Sequence, residues 1–363
     1  METLYPWGWG PFFSQQLDLE DYETYTPARI VQQQRHWRGL VSEQGEAWAD
    51  LSGKMRFNLE AGEDQPALGD WVLIDRETAP GRPVIRRLLS RKSGLVRGRV
   101  DSTRQKAVGA AQVIAANVDY ALIVHSLTGP LNVNRLERYI VLARQGGVRP
   151  IILLNKADRC RDPEAAAAEA EQRLPGLDVV PASALDGRGL DRLDPYLSPG
   201  STSVLLGPSG VGKSTLINRL LGRDEQKVRE VRPADDKGRH TTTSRRLFRL
   251  PGGGLVIDTP GLRALGLPAR GPSGTGAFED VEKLAGSCRF RDCTHTGEPG
   301  CAVGAAVREG RLDRARRDNY LKLKDEEAAL ARRHDPRARR VQNKKLARMI
   351  KEVKKIDKRR YDW

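Results

Sequence analysis

The chain carries Gly207-Pro208-Ser209-Gly210-Val211-Gly212-Lys213-Ser214-Thr215, which matches the pattern G-x-x-x-x-G-K-[ST] at every fixed position. An apolar run leads into this stretch and a helical pattern leads out of it, which is the context that a phosphate-binding loop requires. Glycines allow successive backbone N–H groups to curl around phosphates. Lys213 would then reach the β- and γ-phosphates as a catalytic cation, and the Ser214 hydroxyl would ligate Mg²⁺. A glycine-rich turn that binds nothing is the alternative, and both flanks disfavour it.

The residues around this loop alternate between strand and helix patterns. Apolar runs predict strands at 118–124, 149–154, 177–181, 203–206, 246–250 and 255–258. Helical patterns occupy 132–145, 163–174 and the residues from 213 onward. This alternation favours an α/β domain with a mostly parallel sheet and helices on both faces. Between residues 35 and 100, shorter β-type runs separated by turns predict a small β-barrel.

A base-binding loop is predicted where the motif Asn-Lys-Ala-Asp follows an apolar strand. The Asp158 carboxylate could accept hydrogen bonds from guanine N1–H and N2–H₂, whereas adenine would leave it unpaired, so guanine is favoured. Asn155 would tie this loop to the phosphate loop, and the Lys156 stem would cover one face of the base. The motif alone also occurs as an ordinary turn. Ser183 and Ala184 follow the next strand, and a backbone N–H there could meet guanine O6.

A second magnesium motif is predicted at Asp258-Thr-Pro-Gly261, where another apolar strand ends. Asp258 would hold the metal through water, and the Gly261 N–H would contact the γ-phosphate. The polar residues 238–244 precede this motif and suit a switch loop. One of three successive threonines beginning at Thr241 would complete the Mg²⁺ shell. The pattern does not select among them, and we take Thr242 as the candidate.

Hydrolysis needs a group that orients the attacking water, and many GTPases place glutamine directly after the Asp-x-x-Gly glycine. This chain has Leu262 there, which cannot hydrogen-bond water, so slow intrinsic hydrolysis is predicted. His240 in the proposed switch loop is the catalytic candidate, and we expect RNA docking to order it over the γ-phosphate. A solvent-exposed histidine without a catalytic role is the alternative.

Three cysteines and one histidine lie close together near the C-terminus, in the spacing Cys288-x₄-Cys293-x-His295-x₅-Cys301. Four N/S ligands without a carboxylate favour a closed, tetrahedral and structural Zn²⁺ site. Zinc would fold a segment that is too small and too polar to hold itself. A chance cluster of buried cysteines is the alternative. The remaining cysteine, Cys160, is interpreted as an incidental thiol.

The positive charge of the chain is concentrated at its C-terminus. The 363 residues carry 62 Lys and Arg against 47 Asp and Glu, for a net charge of +15. Residues 332–363 hold 14 basic and 4 acidic side chains, which is +10 of that total. Such a run is often only a solvated helix or extension, but here it favours phosphate binding. Since no apolar run approaches membrane-helix length and the N-terminus lacks signal-peptide features, a cytoplasmic protein without membrane contact is expected.

The barrel segment interleaves aromatic and basic residues. Trp37, Trp48 and Trp71 lie among several arginines and lysines, a combination that suits stacking on nucleic-acid bases. Aromatic residues in so small a barrel usually form its core. We therefore predict that at least two of these three tryptophans pack inside.

The motifs occur in an unusual order, because the base-binding pair precedes the phosphate loop. With the barrel-like segment before them and the Cys/His cluster after them, they resemble the RsgA (YjeQ/YloQ) family of circularly permuted GTPases that depend on the small ribosomal subunit. The resemblance extends over about residues 26 to 330. It implies an N-terminal OB fold, a permuted GTPase domain and a C-terminal zinc-binding domain. It also implies slow hydrolysis of GTP to GDP and phosphate, stimulated by the 30S subunit during its late maturation.

The chain is therefore predicted to be multidomain. The expected segments are an N-terminal arm, an OB-fold RNA-binding domain, a permuted GTPase domain, a mostly α zinc-binding domain with a helix from about residue 312, and a basic tail, at 1–35, 36–105, 106–270, 271–333 and 334–363. Expected partners are the 30S subunit with its 16S rRNA and GTP or GDP, and expected cofactors are one structural Zn²⁺ and Mg²⁺ with GTP. A monomer is expected. The alternative is a GTPase, or a GTP-regulated RNA-binding module, that acts on a different RNA.

Overall fold

The computed structural model describes residues 2–34, 37–60, 65–76, 82–97, 112–225, 245–258 and 272–334. Its contacts divide the chain into two compact units. The first unit comprises Met1–Arg97 and Gln112–Gly266, and the second comprises Gly98–Ala111 and Leu267–Trp363. The barrel and the phosphate loop therefore belong to the same unit.

The N-terminal residues fold onto the barrel instead of forming a free arm. They form a 3₁₀ turn (Glu2–Trp7) and two short helices, α1 (Pro11–Ser14) and α2 (Leu19–Thr24). One buried cluster joins this segment to barrel side chains, and its members are Leu4, Trp9, Phe13, Trp71, Leu73 and Leu89. The Trp9 and Trp71 rings meet edge to face with centroids 4.7 Å apart.

Five strands close into the predicted barrel, which has the size and strand arrangement of an OB fold. They are β1 (Tyr25–Gln33), β2 (Arg38–Ser42), β3 (Gly45–Leu51), β4 (Trp71–Asp75) and β5 (Val84–Leu88). The hydrogen-bonded order is β1–β2–β3–β5–β4, and β4 pairs back with β1 to close the barrel. The β3–β5 pair is parallel, and the other pairs are antiparallel. A helix, α3 (Gly53–Glu60), follows β3.

The barrel begins at Tyr25, so the predicted boundary between arm and barrel at residue 35 is wrong. Strand β1 pairs with both β2 and β4 over its length. Residues 26–31 of this strand are all buried. Because β1 also contains Pro27 and a buried Arg29, its sequence shows no alternation of apolar and polar residues.

The prediction that at least two of three barrel tryptophans pack inside is also wrong. Trp71 is fully buried, but Trp48 is 38% exposed. Trp37 is half-buried, and the Arg82 guanidinium lies 3.7 Å from the centroid of its ring. Trp9 and Phe13 of the N-terminal segment pack on Trp71, so these aromatic side chains supply core that the sequence pattern assigned to the barrel strands.

A mostly parallel sheet with connecting helices follows, as predicted. An antiparallel ribbon of β6 (Gly94–Arg97) and β7 (Gln112–Ala116) precedes it in the chain and forms a separate two-stranded sheet. The elements of the parallel sheet and its connecting helices are β8 (Tyr120–Ser126), α4 (Val133–Gln145), β9 (Arg149–Asn155), α5 (Pro163–Arg173), β10 (Asp178–Pro181), β11 (Thr202–Leu206), α6 (Lys213–Leu221), β12 (Arg245–Arg249) and β13 (Leu255–Asp258). The strand order is β10–β9–β8–β11–β13–β12, and only β12 is antiparallel to its neighbour. Strand β12 also pairs with β1, which makes the barrel and this sheet continuous.

Local signals explain why the helices begin where they do. The Asn132 side chain accepts a hydrogen bond from the Arg135 N–H and caps α4. Asp162 caps α5 in the same way, with Pro163 in the first turn, where a missing N–H costs nothing. These capping residues place the two helices close to their predicted starts.

Arg29 is a buried cation where the barrel meets the parallel sheet. It is 1% exposed, and burial lowers its pKa to about 10 although Asp119 and Asp70 oppose the shift. Its guanidinium donates to the Gly69 carbonyl at 3.2 Å, the Asn117 carbonyl at 3.1 Å and the Thr202 hydroxyl at 3.0 Å, and also to the Trp7 carbonyl. One side chain thus joins the N-terminal segment, the barrel and the first residue of β11.

Replacing Arg29 with methionine is expected to lower the free energy of unfolding of the first unit by about 3 kcal/mol, because several buried acceptors lose their donor. Arg86→Met is the matched control. Arg86 pairs with Asp75 at 2.8 Å but is 46% exposed, so its loss should cost less than about 1 kcal/mol. Denaturant unfolding followed by tryptophan fluorescence measures both. Equal midpoints for the two variants would contradict a structural role for Arg29.

The second unit contains α7 (Glu279–Ala285), α8 (Ala302–Arg308) and the long helix α9 (Arg314–His334), close to the prediction from residue 312. Phe278 is fully buried, and its ring lies 5.4 Å from that of Tyr320 on α9. Arg316 of α9 forms a two-pronged ion pair with Asp280 of α7, at 2.6 and 2.7 Å. Within the described residues, none of the helices combines the length and apolar character needed to cross a membrane.

Candidate nucleotide site and metal centre

The phosphate loop connects β11 to α6 and relies on glycine at two crowded positions. Gly207 has a φ of +146°, and a Cβ there would lie 2.6 Å from the Val124 carbonyl oxygen. Gly212 has a φ of +99°, and a Cβ there would lie 2.3 Å from Nδ2 of Asn155. Both positions exclude a side chain, so the loop can pass close to the neighbouring strands while turning into the helix.

Lys213 is the first residue of α6 and points back over the loop. Its Nζ donates to the Gly207 carbonyl at 2.7 Å and to the Pro208 carbonyl at 2.8 Å. Burial lowers the pKa of this ammonium group, and Asp258 acts in the opposite direction. The loop backbone, the helix N-terminus and this cation together form a cradle suited to phosphates.

Asp258 reaches the same edge of the sheet from the adjacent strand. It ends β13, where it is the register partner of Leu205 on β11, and it is buried. Ser214 and Thr215 follow Lys213 in the first turn of α6. A carboxylate and a hydroxyl beside a phosphate cradle are the oxygen ligands that Mg²⁺ accepts, so Asp258 and Ser214 fit that ion.

Asn155 joins the base-binding loop to the phosphate loop. Its Nδ2 donates to the Val211 carbonyl at 2.7 Å, and its Oδ1 accepts from the Ala184 N–H at 3.0 Å. Asn155 is 2% exposed and ends β9. One amide side chain therefore holds residues from three separate loops in a fixed arrangement.

The rest of the base-binding loop is held in the same way. Lys156 adopts a left-handed conformation with a φ of +65°, and its Nζ donates to the Gly210 carbonyl at 2.8 Å. The Ser183 hydroxyl donates to Oδ1 of Asp158 at 2.7 Å. The second carboxylate oxygen of Asp158, Oδ2, lies 3.9 Å from Nε of the exposed Arg159. The structure thus brings the predicted base-binding and phosphate-binding residues together although 54 positions separate Lys156 from Gly210.

Arg219 adds a contact that the sequence patterns did not indicate. It lies on α6, and its Nη2 donates to the Leu185 carbonyl at 2.8 Å. Its guanidinium also covers Gly187, where a Cβ would lie 3.3 Å from Nη2. The helix that follows the phosphate loop thereby supports the loop that carries Ser183 and Ala184. An arginine on an exposed helix face has no motif of its own, so only the fold reveals this position.

The four predicted zinc ligands converge in the second unit. The Sγ atoms of Cys288, Cys293 and Cys301 and a ring nitrogen of His295 all lie within 4.8 Å of one another. Nδ1 of His295 is 3.6 Å from Sγ of Cys288 and 3.7 Å from Sγ of Cys301. Three thiolates and one imidazole without a carboxylate fit a closed tetrahedral Zn²⁺ site.

Backbone geometry orients these ligands. His295 has a φ of +61°, an uncommon conformation for a residue other than glycine, and it is buried. Sγ of Cys301 accepts a hydrogen bond from the Gly304 N–H at 3.2 Å and caps α8. Desolvation raises the pKa of Cys288, but hydrogen bonds from the N–H groups of Val303 and Ala302 outweigh it, so the pKa lies below its usual value. The start of α8 thus favours the thiolate form that binds a metal.

Several predicted residues lie outside the described part of the chain. They are His240, Thr241, Thr242, Thr243, Gly261 and Leu262. The basic tail from residue 335 onward also lies outside it. The switch loop, the water-orienting group and the tail therefore stay sequence predictions.

Asp158→Asn is expected to weaken GTP binding by at least about 100-fold, because an amide nitrogen would then face the guanine N1–H and N2–H₂ donors. The same amide could donate to the 2-oxo group of xanthine, so XTP should bind better than GTP. Fluorescence titration with both nucleotides measures the preference. Arg159→Ala, a change of the exposed neighbour, is the control and should keep the preference for GTP. An Asp158→Asn variant that still prefers GTP would contradict the assignment of Asp158 to the base.

Known proteins resemble this chain in sequence and in structure. The model of the family described as "RsgA GTPase" matches residues 88–268 of this chain. The "Small ribosomal subunit biogenesis GTPase RsgA" of Opitutus terrae is 42% identical over 359 residues, which cover 95% of this chain and 96% of that protein. The crystal structure of YjeQ from Thermotoga maritima is 27% identical, with a TM-score of 0.60 and coverage of 84% of this chain and 99% of that chain. The structure of "YloQ, a circularly permuted GTPase" shares the fold at 24% identity, with a TM-score of 0.59 and coverage of 88% and 99%.

Proposed function

Because this chain belongs to the RsgA GTPase family, we propose that it hydrolyses GTP to GDP and phosphate on the 30S ribosomal subunit, as a factor in the late maturation of that subunit. The observation that carries the chemistry is the Asn155 side chain, which locks the base-binding loop onto the phosphate loop. The name of the Opitutus terrae relative supports the small subunit as the target. We place this activity in the cytoplasm, where the subunit would be available.

The proposed hydrolysis depends chiefly on fixed positive charge. Lys213 and the N–H groups of the phosphate loop would bind the β- and γ-phosphates and stabilise the charge that develops there. Ser214 and Asp258 would hold Mg²⁺, and Thr242 is the proposed further ligand. When bound, Mg²⁺ neutralises charge on the phosphate oxygens. Since Leu262 cannot orient water, the chain alone should hydrolyse GTP slowly.

His240→Ala is expected to lower the 30S-stimulated rate of GTP hydrolysis by about 100-fold if His240 orients the attacking water. The rate without subunits should change little, because we propose that His240 is ordered only on the subunit. Phosphate release with and without saturating 30S measures both rates. Full stimulated turnover in the variant would show that His240 has no catalytic part.

The metal centre is proposed to hold one structural Zn²⁺ on Cys288, Cys293, His295 and Cys301. The three cysteines and the histidine leave no position for a reacting water, which separates this site from catalytic zinc. Its role would be to fix the loops before α8. We propose that the protein acts as a monomer.

Contact with 16S rRNA is proposed for two surfaces. On the barrel, Trp48 is exposed and Trp37 stacks with Arg82, so aromatic and cationic groups are available to bases and phosphates. At the C-terminus, the net charge of +10 over residues 332–363 would bind phosphates and make binding salt-dependent. Removing residues 335–363 should therefore flatten the salt dependence of 30S binding.

The rate of phosphate release with 30S subunits, with 50S subunits and with neither tests the proposed function. We expect 30S alone to raise turnover, by about 100-fold or more if His240 orients the attacking water on the subunit. Stimulation by 50S alone, or by neither subunit, would contradict the proposed target. Co-sedimentation in the same samples shows whether a missing stimulation reflects missing binding.

A further inference from the structure

An exposed aromatic side chain lies inside the metal-binding loop of the second unit. Phe290 stands between the proposed ligands Cys288 and Cys293, and the residue is 43% exposed. Arg289 and Arg291 flank it, and both are exposed. Phe290 is not part of the buried core of this unit, so its ring is available to a partner.

The loop holds Phe290 in place at several points. Cys288 and Cys293 fix its two ends when both ligate the metal. The Cys293 N–H donates to the Phe290 carbonyl at 3.3 Å, and the Arg289 N–H donates to the Gly300 carbonyl at 3.1 Å. A Cβ on Gly300 would lie 2.9 Å from Cβ of Arg289, so the two backbone segments are in close contact. The ring therefore lies on a rigid turn, and the turn would lose little conformational entropy when a partner binds.

The charges around the ring indicate the chemistry of that partner. The Arg289 guanidinium carbon lies 5.5 Å from the centroid of the Phe290 ring. Within the described part of the chain, no carboxylate forms an ion pair with Arg289 or Arg291. Asp292 is also exposed, so the loop carries two cations and one anion. A single ring flanked by arginines offers little area to an apolar protein groove, but it can stack on a base while the guanidinium groups contact phosphates.

We infer that Phe290 stacks on an unpaired base of the small-subunit rRNA, with Arg289 and Arg291 on the adjoining phosphates. This inference rests on the proposed function, because it takes the 30S subunit as the partner. It adds a third rRNA contact to the two proposed above, formed by residues that lie in the metal-binding loop but neither ligate the metal nor bind the nucleotide.

Full-length Phe290→Ala is expected to weaken 30S binding by roughly 5- to 150-fold, the range measured for loss of one base–aromatic stack. Phe290→Trp should bind at least as well as the wild type, and Phe290→Leu should resemble the alanine variant because leucine is apolar but has no π face. Phe12→Ala is the matched control, since Phe12 is 44% exposed and lies in the first unit. Zinc content and GTP turnover without subunits should be equal in all variants.

Binding curves distinguish failure of this inference from failure of the proposed function. If the wild-type protein does not bind 30S subunits, the proposed function is wrong. If the wild type binds and Phe290→Ala, Phe290→Leu and Phe12→Ala bind equally well, only the role of Phe290 is wrong.

A photo-crosslinking residue identifies the partner class. With p-benzoylphenylalanine at position 290, irradiation of the 30S complex should attach the protein to 16S rRNA. Attachment to a ribosomal protein without rRNA would overturn the inference in favour of a protein contact.

Discussion

Lys213→Ala is expected to lower GTP turnover by about 100- to 1000-fold, both with and without 30S subunits. The Lys213 ammonium group is held over the phosphate loop by the Gly207 and Pro208 carbonyls, which places its charge where the β- and γ-phosphates would bind. Loss of one preorganised donor to a developing oxyanion has an effect of this size in enzymes. Steady-state phosphate release measures the change.

Lys283→Ala is the matched control for this prediction. Lys283 is a highly exposed lysine on α7 that pairs with Glu279 one helical turn away, so its loss should leave turnover unchanged. A Lys213→Ala variant with turnover within about threefold of the wild type would exclude the phosphate loop as the site of hydrolysis. Circular dichroism of the variant checks that the fold is retained.

Cys301→Ser is expected to remove zinc from the protein and to unfold the second unit. A structural zinc site contributes apparent binding free energies of about 10–16 kcal/mol to folding. Cys301 also caps α8 through its Sγ atom, and a serine hydroxyl can accept the same hydrogen bond, so the variant removes the metal ligand without removing the cap. Zinc content by elemental analysis and hydrogen exchange across α7, α8 and α9 measure the outcome.

Cys160→Ser is the control, because Cys160 lies outside the cluster of ligands. That variant should keep one zinc and full exchange protection. If Cys301→Ser lost its zinc but kept the exchange protection of the three helices, the metal would not be structural. Basal GTP turnover serves as an independent check that the first unit is unaffected in both variants.

Much of the parallel sheet could be predicted because its strands are short, buried and bounded by turns. The observed bounds of β8, β9, β10, β11, β12 and β13 differ from the predicted ones by at most two residues. The motif order correctly identified the RsgA family and the permuted GTPase fold. Among the described residues, the motifs that begin at Asn155, Gly207 and Asp258 each lie at the end of an apolar strand. Fully buried strands produce continuous apolar runs, which local sequence patterns detect well.

The regions that were mispredicted depend on contacts between distant parts of the chain. Strand β1 contains Arg29, whose buried guanidinium is stabilised by hydrogen bonds to Gly69, Asn117 and Thr202. Trp9 and Phe13 of the N-terminal segment pack on Trp71 in the core, whereas Trp48 on β3 is 38% exposed. Local periodicity in the sequence cannot reveal such contacts, because the partner residue is up to 173 positions away.

The proposed guanine site contains both a predictable and an unpredictable part. Asn155, Lys156 and Asp158 form a recognisable motif, and a loop at the end of β9 follows directly from it. Arg219 supports the same site from α6, but an arginine on a helix face matches many ordinary surfaces. Its role became visible only when the fold placed it beside the Leu185 carbonyl.

The proposed role in small-subunit maturation is tested most directly on ribosomal particles from cells that lack this protein. Sucrose-gradient profiles with analysis of the 16S rRNA ends measure that role. We predict fewer 70S ribosomes and an accumulation of free 30S particles with immature 16S rRNA, restored by the wild-type chain and not by Lys213→Ala. Normal particle ratios with fully mature 16S rRNA in those cells would contradict it.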